Sequence, residues 1–291
     1  MKKEKLEFTG ERFTPECVRE IWYEHYHRYA FAKRLVAGKD ILDAACGEGY
    51  GSHMMVKKAK SVTGLDIDSN TIKHAQNRYK SDNLTYIEGS CSALPFESNS
   101  FDVVTSFETL EHLEHQQQML AEFNRVLKSD GILIISTPDK KYYSDATGFV
   151  NEFHVKELYK NEFKQLLNSY WSQQIWYSQA MTFNSVMEKL DSNEMVYATD
   201  ILNKETLEVD KTILKPMYYM VIAAQANIKI PELSDLHIFA DKQQSVYEHY
   251  NEMIREYISV AEKYKALNKK HEKWLSTPFL GRIIRYLERD R

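Results

Sequence analysis

The chain has 291 residues, of which 43% are hydrophobic and 27% charged, and its formal net charge is −4. This balance fits a folded globular protein rather than wholesale disorder, and the negative sign offers no general attraction to nucleic acid, so no nucleic-acid partner is expected. No run of about 18 apolar residues reads as a membrane span, and Met1-Lys2-Lys3-Glu4-Lys5 leads into no apolar leader, which gives the expectation of a cytoplasmic protein with one sizeable core and an appendage.

From about Ile21 to Val36 the sequence reads as an aromatic-rich helix with Trp22, Tyr23, His25, Tyr26, His27 and Tyr29, closed by a glycine stop at Ala37-Gly38. Residues 1–37 are accordingly expected to form a helical lid. An alternation follows: strands at about 40–44, 61–66, 84–88, 101–106 and 131–136, separated by helical stretches near 50–58, 69–80 and 113–128. This is the pattern of an α/β fold with a parallel sheet covered on both faces. Further strands are expected at about 172–180 and 217–226, and residues 183–212 read as an insertion over one end of the sheet.

Beyond Pro231 the pattern changes. Tyr247, Tyr250, Ile254, Tyr257, Ala261 and Tyr264 recur at alternating three- and four-residue steps, a heptad seam on a helix from about 242 to 274. The same pattern serves a helix packed back on the core or a coiled coil, so a homo-oligomer stays open. The stretch from Trp274 to Arg289 interleaves bulky apolar side chains with arginines, which suits either a peripheral contact with an anionic membrane surface or docking on a partner. The domains expected are 1–37, 38–228 and a helical tail over 229–291.

The chemistry concentrates at Ile41-Leu42-Asp43-Ala44-Ala45-Cys46-Gly47-Glu48-Gly49-Tyr50-Gly51, where an apolar strand ends in a loop with three alternate glycines. Glycine is needed where backbone turns sharply and approaches a ligand closely. A second strand ends in Asp66, the position at which a doubly wound fold sets a carboxylate over a ribose diol. A dinucleotide site would need G-x-G-x-x-G to cradle a pyrophosphate, whereas here Asp43 precedes the glycines and would repel phosphate. Cys17, Cys46 and Cys91 lack C-x-x-C spacing, so neither a disulfide frame nor a thiolate zinc site is expected. After the fourth strand comes Ser106-Phe107-Glu108-Thr109-Leu110-Glu111-His112-Leu113. On a helix, Glu108, Glu111 and His112 would share one face, and a histidine beside carboxylates is what a general base requires.

Asp43-x-x-x-Gly47-x-Gly49 with Asp66 resembles the class I S-adenosylmethionine-dependent methyltransferases, over about residues 38–170. The resemblance implies a doubly wound, Rossmann-like seven-stranded sheet whose final strand, over 217–226, is antiparallel. It also implies S-adenosylmethionine as cofactor, contacted by Asp43, Ala44, Gly47, Gly49, Asp66, Ile67, Ser90, Cys91 and Phe107. Ser90 stands where many members carry the acid that accepts the adenine amino group. Glu-x-x-Glu-His is similar to the cation site of metal-assisted O-methyltransferases, which implies magnesium (Mg2+) or manganese (Mn2+) on Glu108, Glu111, His112 and His154; a metal-free base built from Glu108, Glu111 and His112 is the alternative.

A narrower likeness rests on Phe8 to Glu16, Glu24-His25-Tyr26-His27-Arg28-Tyr29, Ser106 to Leu113 and Phe153-His154-Val155-Lys156-Glu157-Leu158. Together these resemble methyltransferases of bacterial surface-polysaccharide gene sets. That implies a sugar hydroxyl on a small-molecule or lipid-linked glycan as acceptor. A quinone-pathway O-methyltransferase shares the Glu-x-x-Glu-His motif, and a cofactor-binding scaffold without turnover is the reading from another class.

Overall fold

Seven strands pair into one sheet in the computed structural model, which describes residues 13–15, 20–182, 201–202, 209–210, 215–279, 281–283 and 286. They are β1 (Asp40–Ala44), β2 (Ser61–Asp66), β3 (Leu84–Glu88), β4 (Phe101–Phe107), β5 (Leu127–Pro138), β6 (Gln173–Gln179) and, after a two-stranded ladder of β7 (Ile201–Leu202) with β8 (Val209–Asp210), β9 (Tyr218–Ala224). Their order is β3-β2-β1-β4-β5-β9-β6. The expected final strand pairs antiparallel with both neighbours, Ile222 lying opposite Ile134 of β5 and Ile175 of β6. The pieces β7 and β8 are the described part of the expected insertion, the rest of which lies outside the described residues, as do Phe8–Arg12, Glu16 and most of the chain end after Phe279.

Side-chain alternation places the two layers. Leu42, Leu133, Ile135, Val221 and Ala223 face a layer built on α4 (Gln116–Val126) and α5 (Lys160–Asn168). Their neighbours Ile41, Ile132, Ile134, Met220 and Ile222 face the opposite layer, built on α1 (Glu20–Ala32) and α2 (Tyr50–Met55). With both faces covered, the central strands can be apolar at every position, which is why they read as continuous hydrophobic runs. The remaining helix of the core, α3 (Ser69–Arg78), is started by the Asp68 carboxylate, which accepts from the Asn70 N–H.

Several boundaries differ from the sequence expectation. α1 ends at Ala32, and the chain continues through a turn to Gly38, whose φ of +69° is that of a loop glycine rather than a helix stop; its N–H donates to the Lys58 carbonyl. α4 begins at Gln116 rather than 113, and β5 begins at Leu127 rather than 131 because Leu127 pairs with Phe101, across a ladder irregularity before Val103. The chain divides into one unit up to Phe239 and another from Ala240. The expected break at 228 falls earlier, whereas Ile228, Ile230 and Leu233 still pack on the core of the first unit. The second unit consists of the helix α6 (Ser245–Ser276) and the short segments that flank it. Among the described residues, no helix is long and apolar enough to cross a membrane.

Candidate functional site

The strand order reverses between β1 and β4, so their carboxyl ends open the crevice where a doubly wound sheet binds ligands. From the end of β1 the chain takes positive φ at Ala45, Gly47 and Gly49. Gly49 has φ +89°, and a Cβ there would lie 2.7 Å from the Tyr86 ring, whose hydroxyl donates to the Gly49 carbonyl. The loop glycine is therefore fixed by β3 packing beneath it as well as by its own dihedral.

Asp66 sits at the rim of the crevice. One oxygen accepts from the Gly47 N–H at 2.9 Å and the other from the Asp68 N–H at 3.0 Å, so the carboxylate ties the glycine loop to the end of β2. A carboxylate accepts through both oxygens, the chemistry that a diol needs. The next side chain, Ile67, is 72% exposed at a strand end whose other residues are buried, an apolar platform beside an acceptor pair. Ser90 and Cys91 follow β3, with the Ser90 hydroxyl accepting from the Ser92 N–H and the Cys91 thiol buried and pushed up to about 12 by that burial. Ala44 and Phe107 are buried at the ends of β1 and β4. These residues meet the requirements of a nucleoside cofactor: a diol acceptor, a flat apolar contact and a close-approach loop.

Asp43 is placed differently from the expectation. It is wholly buried beneath the loop, where Ser52 (2.6 Å), Thr105 (2.8 Å) and Tyr29 donate hydroxyls to it, and burial pushes its carboxyl up to about 6. Its direct role is to join β1, β4, α2 and α1. Gly51 is the counterpart, since a Cβ there would stand 2.0 Å from the Tyr29 ring. The sequence reading missed Glu48, fully buried and bound by Arg78, by His74 at 3.0 Å and by the Tyr79 hydroxyl at 2.9 Å. Its partners lie 26 to 31 residues away, and no short-range spacing announces them.

On the β4 side the expected helical face is not formed. Glu108 has φ +51°, and only Leu110–His112 make a 3-10 turn, so the side chains part. The Glu108 carboxylate accepts from the Ser136 hydroxyl and lies 3.6 Å from the Arg28 guanidinium of α1. Glu111 turns the other way, accepting from the Thr137 hydroxyl at 3.0 Å, and its other oxygen is buried without a hydrogen-bond partner. Burial, and next the Glu108 charge, hold the Glu111 carboxyl well above the usual carboxylate range.

His112 has its Nδ1 2.9 Å from the Phe153 carbonyl, and its ring meets that of His154 edge-on at 5.1 Å. His154 has Nδ1 2.6 Å from Glu157 and Nε2 3.0 Å from the Asn151 amide. One ligand atom from each of Glu111, His112 and His154 lies within 4.8 Å of the others. Glu108, expected as a fourth ligand, is not in that group: its positive φ and its hold on Ser136 and Arg28 direct it away.

Arg28 itself was not singled out by the sequence, although a lone arginine four residues after Glu24 in an aromatic helix is a readable signal. It is 1% exposed, donates from Nε to Gln179 and lies over the Tyr218 ring at 4.4 Å.

Residues 42–135 match the family model described as a methyltransferase domain. A protein of Mycolicibacterium smegmatis named as an S-adenosylmethionine-dependent methyltransferase is 35% identical over 56% of this chain and 64% of its own length. A phthiotriol/phenolphthiotriol dimycocerosates methyltransferase of Mycobacterium ulcerans is 38% identical over 38% of this chain and 41% of its own. The chain thus spans less than two thirds of the length of these curated relatives. Among solved structures, an S-adenosylmethionine-dependent methyltransferase of Thermotoga maritima superposes with a TM-score of 0.51 at 15% identity, covering 70% of this chain and 89% of that one. A protein of Haloferax volcanii solved with the Trm112 methyltransferase activator gives 0.52 at 16%, covering 69% and 90%. These likenesses show the fold.

Proposed function

We propose that this chain, whose residues 42–135 match a methyltransferase domain and which is similar to S-adenosylmethionine-dependent methyltransferases, transfers a methyl group from S-adenosylmethionine to a hydroxyl oxygen, with a sugar hydroxyl of a surface glycan or its precursor as acceptor. The observation that carries this reading is His112, standing past the end of β4 with its Nδ1 turned to the Phe153 carbonyl. An N–H donated there leaves the basic lone pair on Nε2. S-adenosylmethionine supplies an electrophilic methyl on a positively charged sulfur. His112 would take the proton of the acceptor hydroxyl, leaving the oxygen able to react with the methyl that the bound cofactor would supply. Glu111, beside it and held above the usual carboxylate range by burial, relays the proton onward from the imidazole. The relative named for phthiotriol acceptors, a name that denotes an alcohol, favours oxygen as the acceptor atom. The aromatic face of α1, where Trp22 stacks on Tyr26 at 4.2 Å, favours a ring-shaped acceptor.

A second reading places a divalent cation, Mg2+ or Mn2+, on Glu111, His112 and His154. It is favoured by their mutual distances and by the unpartnered buried oxygen of Glu111. The His112 imidazole has Nδ1 on the Phe153 carbonyl, which orients Nε2 in the manner of a metal-ligating histidine, whereas His154 would have to release the Asn151 amide from its Nε2 to bind a cation. A mixed oxygen and nitrogen set suits a cation that lowers the pKa of the acceptor hydroxyl.

Transfer of labelled methyl into lipid-linked glycan, nucleotide sugars, quinone lipids and RNA, with and without chelator, tests both. Label in the glycan or sugar fraction is expected; label confined to quinone or RNA overturns the acceptor. His112→Ala is expected to lower turnover by about 10² to 10⁴ while sparing cofactor affinity. Loss of label with chelator, together with calorimetric Mn2+ binding that Glu111→Gln removes, selects the cation reading.

A further inference from the structure

Every residue of α6 from 252 to 270 is solvent-exposed, yet one face of this stretch is apolar. Met253, Tyr257, Val260, Tyr264 and Leu267 recur at alternating steps of four and three residues and are 52%, 75%, 56%, 64% and 58% exposed. The seam read from the sequence shares the tyrosines but pairs them with Ile254 and Ala261. The Met-Val-Leu row lies on the other side of the same tyrosines and keeps a strict heptad with them. A contiguous apolar patch of this kind marks an interaction surface, and helical stability in proteins comes mostly from packing such a face.

We propose that this face is covered by α6 of a second copy of the chain, running antiparallel. Charge complementarity selects both the occupant and the direction. Glu256 and Lys263 each stand one residue before a seam tyrosine, on the same flank of the stripe. With the twofold axis between residues 258 and 259, antiparallel pairing sets Glu256 against the partner's Lys263 and, by symmetry, Lys263 against the partner's Glu256. Parallel pairing would instead set Glu256 toward the partner's Ala261 and form no ion pair across the seam.

Side-chain volume points the same way. In the antiparallel register Tyr257 packs beside the partner's Val260 and Tyr264 beside the partner's Met253, a bulky ring against a slimmer chain. In the parallel register tyrosine would meet tyrosine at every second layer. The contact is isologous, so it closes at two subunits.

The test is sedimentation equilibrium of the full chain, with circular dichroism as a check that each variant stays helical. The wild type is expected to be a dimer at micromolar concentration. Glu256→Lys should weaken the dimer about tenfold by setting lysine against lysine at two symmetric positions, and the double variant Glu256→Lys with Lys263→Glu should restore it. Met253→Cys should form no disulfide with itself under oxidation but should form one when mixed with Tyr264→Cys. A wild type that stays monomeric at about 100 µM, well above the micromolar range in which the dimer is expected, overturns the proposal. So does a dimer indifferent to Glu256→Lys, or a Met253→Cys chain that crosslinks to itself.

Discussion

The two walls of the crevice treat their buried polar groups in opposite ways. On the β1–β3 side the carboxylates are satisfied by the protein itself: Asp43 by three hydroxyls, Glu48 by Arg78, His74 and Tyr79, and Asp66 by two backbone N–H groups. On the β4–β5 side, among the described residues, both terminal nitrogens of Arg28, the hydroxyl of Ser106 and one oxygen of Glu111 are buried without a hydrogen-bond partner; on the opposite wall only His53 Nδ1 of α2 is in that state. Buried polar groups are almost always paired, and leaving one unpaired costs about 1–3 kcal/mol. On the first wall the three carboxylates are satisfied before any ligand arrives. The second keeps buried polar atoms without a hydrogen-bond partner among the described residues, as the proposed acceptor side would.

That contrast is testable at the first wall to begin with. Asp66→Ala removes the proposed diol acceptor and also the acceptor of the Gly47 and Asp68 N–H groups. Cofactor affinity measured by calorimetry should fall by about 10²-fold or more. Glu108→Gln, on the other wall, should leave that affinity nearly unchanged while lowering turnover. If both substitutions reduced cofactor binding equally, the division into a cofactor wall and an acceptor wall would fail.

Stability sharpens the same contrast. Glu48→Ala leaves Arg78, His74 and Tyr79 around an empty anion position and should destabilise the fold by about 3 kcal/mol, read as a lowered midpoint in denaturant. Glu111→Gln removes a carboxylate whose burial already favours its protonated form. It should be neutral or mildly stabilising, because an amide of the same shape can still accept from Thr137. A large loss of stability there would make Glu111 a structural residue and weaken its assignment to the reaction.

The strand positions and, on the first wall, the loop glycines and Asp66 were legible in the sequence because they follow local rules, whereas Glu48 on the same wall was not. Apolar runs of strand length, glycines where φ is positive and an acid at a strand end can each be read from neighbouring residues. The other wall depends on contacts distant along the chain: Arg28 reaches Gln179, Glu108 reaches Ser136 and His112 reaches Phe153. The helical reading of Glu108 to His112 failed at one residue, since the positive φ of Glu108 is a conformation that glutamate seldom adopts and composition does not signal. Asp43 was found by its position but misread in its contacts, because the three hydroxyls that hold it come from three other elements.

The smallest expected effect concerns how α1 is held over the β4 side. Glu24 accepts from the Tyr218 hydroxyl at 3.2 Å, and burial, opposed by the Arg28 charge, pushes its carboxyl up to about 7. An acid whose folded pKa lies above its unfolded value binds its proton more tightly when folded, so its contribution to stability is present below about pH 4.5 and is lost as pH rises toward 7. Glu24→Gln keeps an acceptor for Tyr218 and has no proton to lose. The difference in stability between variant and wild type should therefore grow in the variant's favour from pH 5 to pH 8, by an amount on the order of 1 kcal/mol. Equal pH dependence of the two melting midpoints would mean that Glu24 stays charged beside Arg28 at pH 5. In that case the Arg28 charge would be balanced within α1 by Glu24 as well as by Glu108 at the end of β4.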